Sequence, residues 1–469
     1  MTRNSTTTTT PGEQLPLIKR ENGKDNEIDH SESILDDARD TIVLGIPIFL
    51  SMLSWVGMKT TDAALLGHVS ADALAAAALS DLWTMCTAVL IQGRVLGVLC
   101  GAAVGAGNPK LAGIYLQVSY YVLGVVCILV FFCWYWTERI WLAFGSDPVI
   151  AKMAGYYAKV LAWSLPGQLA FSQVSQFFSS QRIMHPEVNA ACAALILNLV
   201  FGLLFVLGIP IPGWHGFGFP ACPIVTTAVV YAQFLVMWLV YIYWQRLHEP
   251  CWGGWSWKEI TWERIHIFSD LYFPAALGMA SDFWRVAVIG AVAAKLGETE
   301  VAVFNTSYRI MWIVLILCNA LASAAGIKTS LRLGKNDHHG AKQAGEVGIF
   351  MSALVLLLIG GFVVWQIRPL GHIFTNDKEF LELFEAAKWP FMTTLVFMNL
   401  SVAIERIPYS MGRTKEVFWF GFIASWGAQV PAVILLTKFW RDDLIGVYSG
   451  MTIGYLVLSA LYGWISFTR

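Results

Sequence analysis

Asp62, Arg94, Asp282, Arg285, Arg309, Glu405 and Arg406 all fall within long hydrophobic runs of the sequence. A charge in such a run is costly unless it faces a bundle interior or a water-filled cavity, so each is a candidate for handling an ion or a substrate. Asp62 is the most informative. It stands fifteen residues after Pro47 in the first run, and a proline within a helix removes a backbone hydrogen bond and lets the helix bend. A carboxylate in low dielectric keeps its proton unless another cation replaces it, which is what a coupling site requires; the other reading is a helix-end carboxylate that only caps or hydrates. Asp282 and Arg285 are three apart and share a helix face, as a static ion pair or as a coupling pair. Glu405 and Arg406 are adjacent, so they point in different directions. Asn305, Tyr308 and Asn399 either line a central cavity or make ordinary interhelical hydrogen bonds.

No soluble catalytic constellation accompanies them. The sequence has no Gly-x-x-x-x-Gly-Lys-Ser/Thr loop, no His-Glu-x-x-His pair and no nucleophile elbow, so no enzyme activity and no cofactor is expected. His338-His339 reads as a solvated turn rather than a metal site, and no metal is expected. The cysteines lie mostly inside apolar segments without paired spacing and read as small buried hydrophobes. With 31 basic and 32 acidic residues, no polycationic surface for nucleic acid is expected.

The elements that must position these residues are membrane helices. Of the 469 residues 57% are hydrophobic and 13% charged, and the mean hydropathy is +0.59; a water-soluble chain carries charge on about a quarter of its residues. Each membrane crossing needs about 20 apolar residues. Apolar stretches fall near 41–66, 75–104, 111–136, 151–180, 188–210 and 220–244, then near 265–295, 301–332, 340–367, 383–411, 416–437 and 444–467. The reading is an all-α polytopic membrane protein of twelve transmembrane helices in two pseudo-symmetric six-helix lobes, 41–244 and 265–469. A cytoplasmic connector spans 245–264, and residues 1–40 are a disordered cytoplasmic tail. Within the tail, Glu13-Gln-Leu-Pro-Leu17-Ile18 has the form of an acidic dileucine sorting signal.

An ungapped shift of 227 residues supports the division. Pro47-x-x-Leu50-x-Met52-x-Ser54 recurs as Pro274-x-x-Leu277-x-Met279-x-Ser281, and Ala75, Gly107 and Gly113 meet Ala302, Gly334 and Gly340 in the same register. Six crossings per half leave both halves in one orientation, with a path between them. One set of connections holds sixteen Lys and Arg and the opposite set eight, which places both termini in the cytoplasm. The tryptophans at 252, 255, 257 and 262 fit an interfacial belt on the connector.

The run Pro47 through Gln117 resembles the multidrug and toxic compound extrusion (MATE) family. The likeness is carried by Thr60-Thr61-Asp62-Ala-Ala-Leu-Leu-Gly67-His68-Val, Leu74-Ala75-Ala76, Gln92-Gly93 and Cys100-Gly101-Ala-Ala-Val-Gly105-Ala106-Gly107. It continues through Arg182 to Val188 and Met411-Gly412-Arg413-Thr414-Lys415. The resemblance, of eukaryotic type, implies two lobes around a V-shaped cavity and cation-coupled antiport of organic compounds. It implies coupling roles for Asp62, Asn198, Thr226 and Asp282, and a bending role for Pro47. The sequence departs from the family pattern at Gly202, where a second N-lobe carboxylate is expected, and at Ala287 in the seventh helix. In the tenth helix Met398 stands near the expected acid, and Glu405 lies two turns later.

The expected function is therefore a secondary antiporter that exports a small organic substrate in exchange for H+, preferred, or Na+, working as a monomer in the plasma membrane or a vacuole- or lysosome-like membrane. Proton coupling is preferred because the carboxylate inventory is thin. The alternative is a flippase for lipid-linked saccharides, which needs a strongly cationic cavity that Arg94, Arg285, Arg309 and Arg406 would have to supply.

Overall fold

The structure, a computed structural model, describes residues 34–468 except positions 94, 210, 212 and 376; the dileucine motif and Arg94 lie outside the described residues. Ten helical rods are long and apolar enough to cross a membrane. In the first half these are α1 (Ile34–Val69), α2 (Ala71–Gln92) with α3 (Leu96–Gly105), α4 (Pro109–Tyr135), α8 (His185–Gly202) and α9 (Ala221–Val236). The short α5 (Thr137–Ala143) leads into an interrupted rod made of α6 (Pro148–Ala162) and α7 (Leu165–Ser180). The second half has α10 (Trp262–Ala294), α11 (Glu298–Gly334) and α12 (His338–Trp365), then the short α13 (Ile367–His372). A second interrupted rod, α14 (Lys378–Ala386) with α15 (Lys388–Ser410), precedes α16 (Thr414–Phe422), α17 (Val430–Phe439) and α18 (Leu444–Thr468). With the two interrupted rods the crossings number twelve, six in each half, and no strand occurs among the described residues.

Helix starts follow local chemistry. Ser70, Asn108, Asp147, Thr261, Asp337 and Asp377 each accept a backbone N–H in the first turn of the helix they precede, which satisfies donors that have no intrahelical partner. Two sequence expectations shift at such ends. Residues 34–40 belong to α1 rather than to a disordered tail, because Asp37 is buried against α11 and α12 of the second half. His338 and His339 open α12 behind the Asp337 cap instead of forming a turn, and both are exposed. Pro47 and Pro274 each lie inside a helix that continues past them, α1 and α10. The tracts at 182 and 412 form matching turns, with Arg182 and Gly412 both at left-handed φ.

The halves meet along α1, α2, α3 and α4 on one side and α10, α11 and α12 on the other. Their closest approach explains the small-residue tract of α3. A Cβ on Gly101 would lie 2.5 Å from Ser330 Oγ, and one on Gly105 would lie 2.1 Å from the Leu331 carbonyl oxygen, so the two backbones are in near contact. Beside them Leu44, Ile48 and Met184 of the first half pack on Ala320 and Ala324 of the second. The Tyr272 hydroxyl donates to Leu90 O and accepts from Gly93 N, both at 3.0 Å. The connector between the halves is fixed to α4 by Gln117, whose amide donates to Gly254 O at 2.8 Å and accepts from Ser256 N at 3.1 Å. All these contacts belong to the end of the molecule where α1 begins and α11 finishes.

Candidate functional site

Asp62 is carried by α1 at a place where that helix is pressed onto α8. Gly57 leaves room for Leu195, and Gly202 leaves room for Leu65, whose Cδ1 would stand 2.3 Å from a Cβ at position 202. The carboxylate is 3% exposed. Asn198 Nδ2 of α8 donates to its Oδ1 at 3.1 Å, and Thr226 Oγ1 of α9 donates to its Oδ2 at 2.9 Å. Three of the residues singled out in the sequence thus converge on one buried point from three helices.

The bonding pattern at this point can follow a proton. Thr226 has one hydroxyl hydrogen and two acceptors, Asp62 Oδ2 and the Cys222 carbonyl at 3.0 Å, so it can turn away when the carboxyl is neutral. Asn198 Oδ1 is buried without a hydrogen-bond partner, and a half-turn of the amide would offer it to a protonated Asp62. Leu65 occupies the volume a side chain at 202 would need, which leaves a single carboxylate here. No group of three or more His, Cys, Asp or Glu suited to a metal ion occurs among the described residues.

Asp282 does not join this site. It lies in α10 of the other half, where its carboxylate is 3.2 Å from Arg285 Nη2 and half exposed. Arg285 is buried: Nη1 donates to Ser425 Oγ at 2.9 Å, Nη2 reaches Tyr455 Oη at 3.5 Å, and the guanidinium lies over the Tyr455 ring at 5.1 Å. Glu405 and Arg406 do diverge. Glu405 lines a small cavity with Ser281, Asp282, Tyr409 and Tyr462, whereas Arg406 Nη2 donates to Asn319 Oδ1 at 2.6 Å. Asn399 donates to its own helix at Leu395 O, 2.8 Å away. Tyr308 stacks on Phe304, and Asn305 and Arg309 are exposed. The arginines therefore form no common cationic surface among the described residues: Arg285 is committed to its tyrosine and serine, and Arg406 to Asn319.

Sequence reasoning missed two charged groupings. Asp37, 0% exposed, accepts from Lys328 Nζ at 2.5 Å, from Arg332 Nη2 at 2.6 Å and Nη1 at 3.0 Å, and from Gln343 Nε2 at 2.8 Å. This cluster ties the start of α1 to α11 and α12 across the two halves. Lys59 Nζ, one turn before Asp62, pairs with Asp81 Oδ1 of α2 at 2.8 Å. Lys59 and Lys328 were legible as cations inside apolar runs; Asp37 fell in the stretch assigned to the tail.

The MatE family profile matches residues 47–204 and 274–435, one stretch in each half. Among curated relatives, multidrug and toxin extrusion protein 1 of Xenopus tropicalis is 27% identical over 89% of this chain and 72% of its own length. An uncharacterized transporter of Schizosaccharomyces pombe is 25% identical over 91% and 78%, and protein DETOXIFICATION 18 of Arabidopsis thaliana is 25% identical over 89% and 95%. The crystal structure of the eukaryotic MATE transporter AtDTX14 superposes with a TM-score of 0.84 at 19% identity, covering 93% of this chain and 97% of that one. The paired family matches fall on the two six-helix lobes described above. Members of the matched family are transporters rather than enzymes: the chain belongs to the MatE family and is a multi-pass membrane transporter of eukaryotic MATE type.

Proposed function

We propose that the protein is a secondary active antiporter that exports small organic compounds by alternating access, with protonation of Asp62 as the coupling event. The observation that carries this reading is the hydrogen-bond setting of Asp62. It is a buried carboxylate held by two neutral donors, beside an unpartnered acceptor and an apolar Leu65 where a second acid would stand. Such a site takes up a proton without new ligands, whereas a sodium ion needs several oxygens around it. The names of the relatives, multidrug and toxin extrusion and detoxification, support organic toxins as cargo. The bias of basic residues toward one face supports a cytoplasmic side for the end where Asp37 binds Lys328 and Arg332. In the C-terminal lobe, Asp282 and Glu405 place a pair of carboxylates on one small cavity.

The test is transport by the purified protein in proteoliposomes with proton and sodium gradients imposed separately. Wild-type protein is expected to accumulate a fluorescent organic cation in response to a proton gradient, and Asp62→Asn is expected to lose that response. Transport by Asp62→Asn at the wild-type rate under every imposed gradient removes Asp62 from the coupling role.

A further inference from the structure

Lys59 is not used by the cycle proposed above, yet it stands three residues before Asp62 on α1. Helix positions three apart are surface neighbours, so its flexible four-carbon stem brings an ammonium within reach of both Asp62 and Asp81. In the structure it rests on Asp81 Oδ1 at 2.8 Å, with the two side chains 23% and 25% exposed. Charges in an apolar span are expected to face water or a bundle interior rather than acyl chains, and here the two satisfy each other beside the buried Asp62.

The groups around Asp62 can be named helix by helix. α1 contributes Lys59, and α2 contributes Asp81. α8 contributes neutral Asn198, and α9 contributes Thr226 and Cys222. α6 contributes Tyr157, whose hydroxyl is 3.9 Å from Cys222 Sγ. Lys59, Asp62 and Asp81 together carry one negative charge when Asp62 is ionised and none when it is protonated. A proton therefore neutralises the set, using only the orphan acceptor Asn198 Oδ1. A sodium ion would have to settle beside an ammonium, with Leu65 in place of a further oxygen.

Resting on the coupling role proposed for Asp62, we propose that Lys59, shared between Asp81 and Asp62, is the residue that makes this site accept protons and reject sodium. It acts as a built-in counter-cation: it holds Asp81 while Asp62 is neutral and shields Asp62 once the proton has left.

The test reads the site directly, without a cargo. In lipid nanodiscs, binding of radioactive sodium is measured alongside the infrared carboxyl band that Asp62→Asn abolishes, followed as a function of pH. Wild type is expected to bind no sodium at millimolar concentration, and Lys59→Gln to gain binding at this site while Lys59→Arg does not. The midpoint of the band is expected to rise by about one pH unit in Lys59→Gln, the size expected of a unit charge about a helical turn away, and to fall in Asp81→Asn. The double variant should return close to wild type. If Lys59→Gln fails to fold, Asp81→Asn carries the test, since a merely structural pair leaves the midpoint where it was. Sodium binding by wild type, or midpoints unmoved in both single variants, overturns the proposal. Wild-type coupling by Asp62→Asn in liposomes overturns the antiport reading instead, and leaves these two site measurements to stand or fall separately.

Discussion

Replacing Asp37 with asparagine keeps the shape of the side chain but removes the carboxylate that meets Lys328 and Arg332 at 2.5 and 2.6 Å. Lys328 is 1% exposed, so its ammonium is left buried without its counter-ion. Removing one partner of a buried ion pair costs about 3–5 kcal/mol. Only a state in which the start of α1 is packed on α11 bears that cost, because separating the lobes at this end hydrates both cations. The equilibrium between closed and open arrangements at this end is therefore expected to move by a factor on the order of a hundred to a few thousand, at about 1.4 kcal/mol per tenfold change. Spin labels at Lys110 and His339, exposed positions at this end of the two lobes, would report it as a new long-distance component in nanodiscs. Asp37→Glu should restore much of the parent distribution. If Asp37→Asn keeps the parent distances while its melting temperature falls, the cluster braces the helices in every state and the reasoning about a gate is wrong.

Three further outcomes are expected at the lobe contact and in the C-terminal lobe. A valine at Gly105 would press its Cβ to 2.1 Å from the Leu331 carbonyl oxygen, and overpacking of this kind costs about 1–3 kcal/mol; the same label pair should lengthen, and unchanged distances would show that α3 and α11 relax without parting. In the C-terminal lobe Arg285→Ala removes bonds to Ser425 and Tyr455 and a buried stem, a loss of about 1–3 kcal/mol visible as a lower melting temperature. Asp282→Asn should cost less than about 1 kcal/mol, because that carboxylate is half exposed; equal effects of the two would mean the pair acts as one unit.

Much of the architecture was legible before any coordinates. Apart from the start of α1, the apolar stretches match the helical rods within a few residues, and the internal repeat anticipated the paired family matches. The break between α2 and α3 and the one between α6 and α7 lay unseen inside single apolar stretches, since hydropathy does not register an interruption that keeps its neighbours apolar. In the site, Asp62, Asn198 and Thr226 were singled out and do meet. The two acids noted in the other lobe, Asp282 and Glu405, border one cavity although they lie far apart in sequence.

What the sequence by itself determined is the membrane habit, the twofold repeat and the presence of scarce charges, because burial in lipid constrains composition and spacing residue by residue along the chain. Which charges neutralise one another was decided only by tertiary structure. Asp37 meets Lys328 and Arg332 across the lobes, Lys59 meets Asp81, and Leu65 fills the space left by Gly202. Electrostatic energy depends on distance and hydration in three dimensions, and residues nearly three hundred positions apart acquire a distance only when the helices pack.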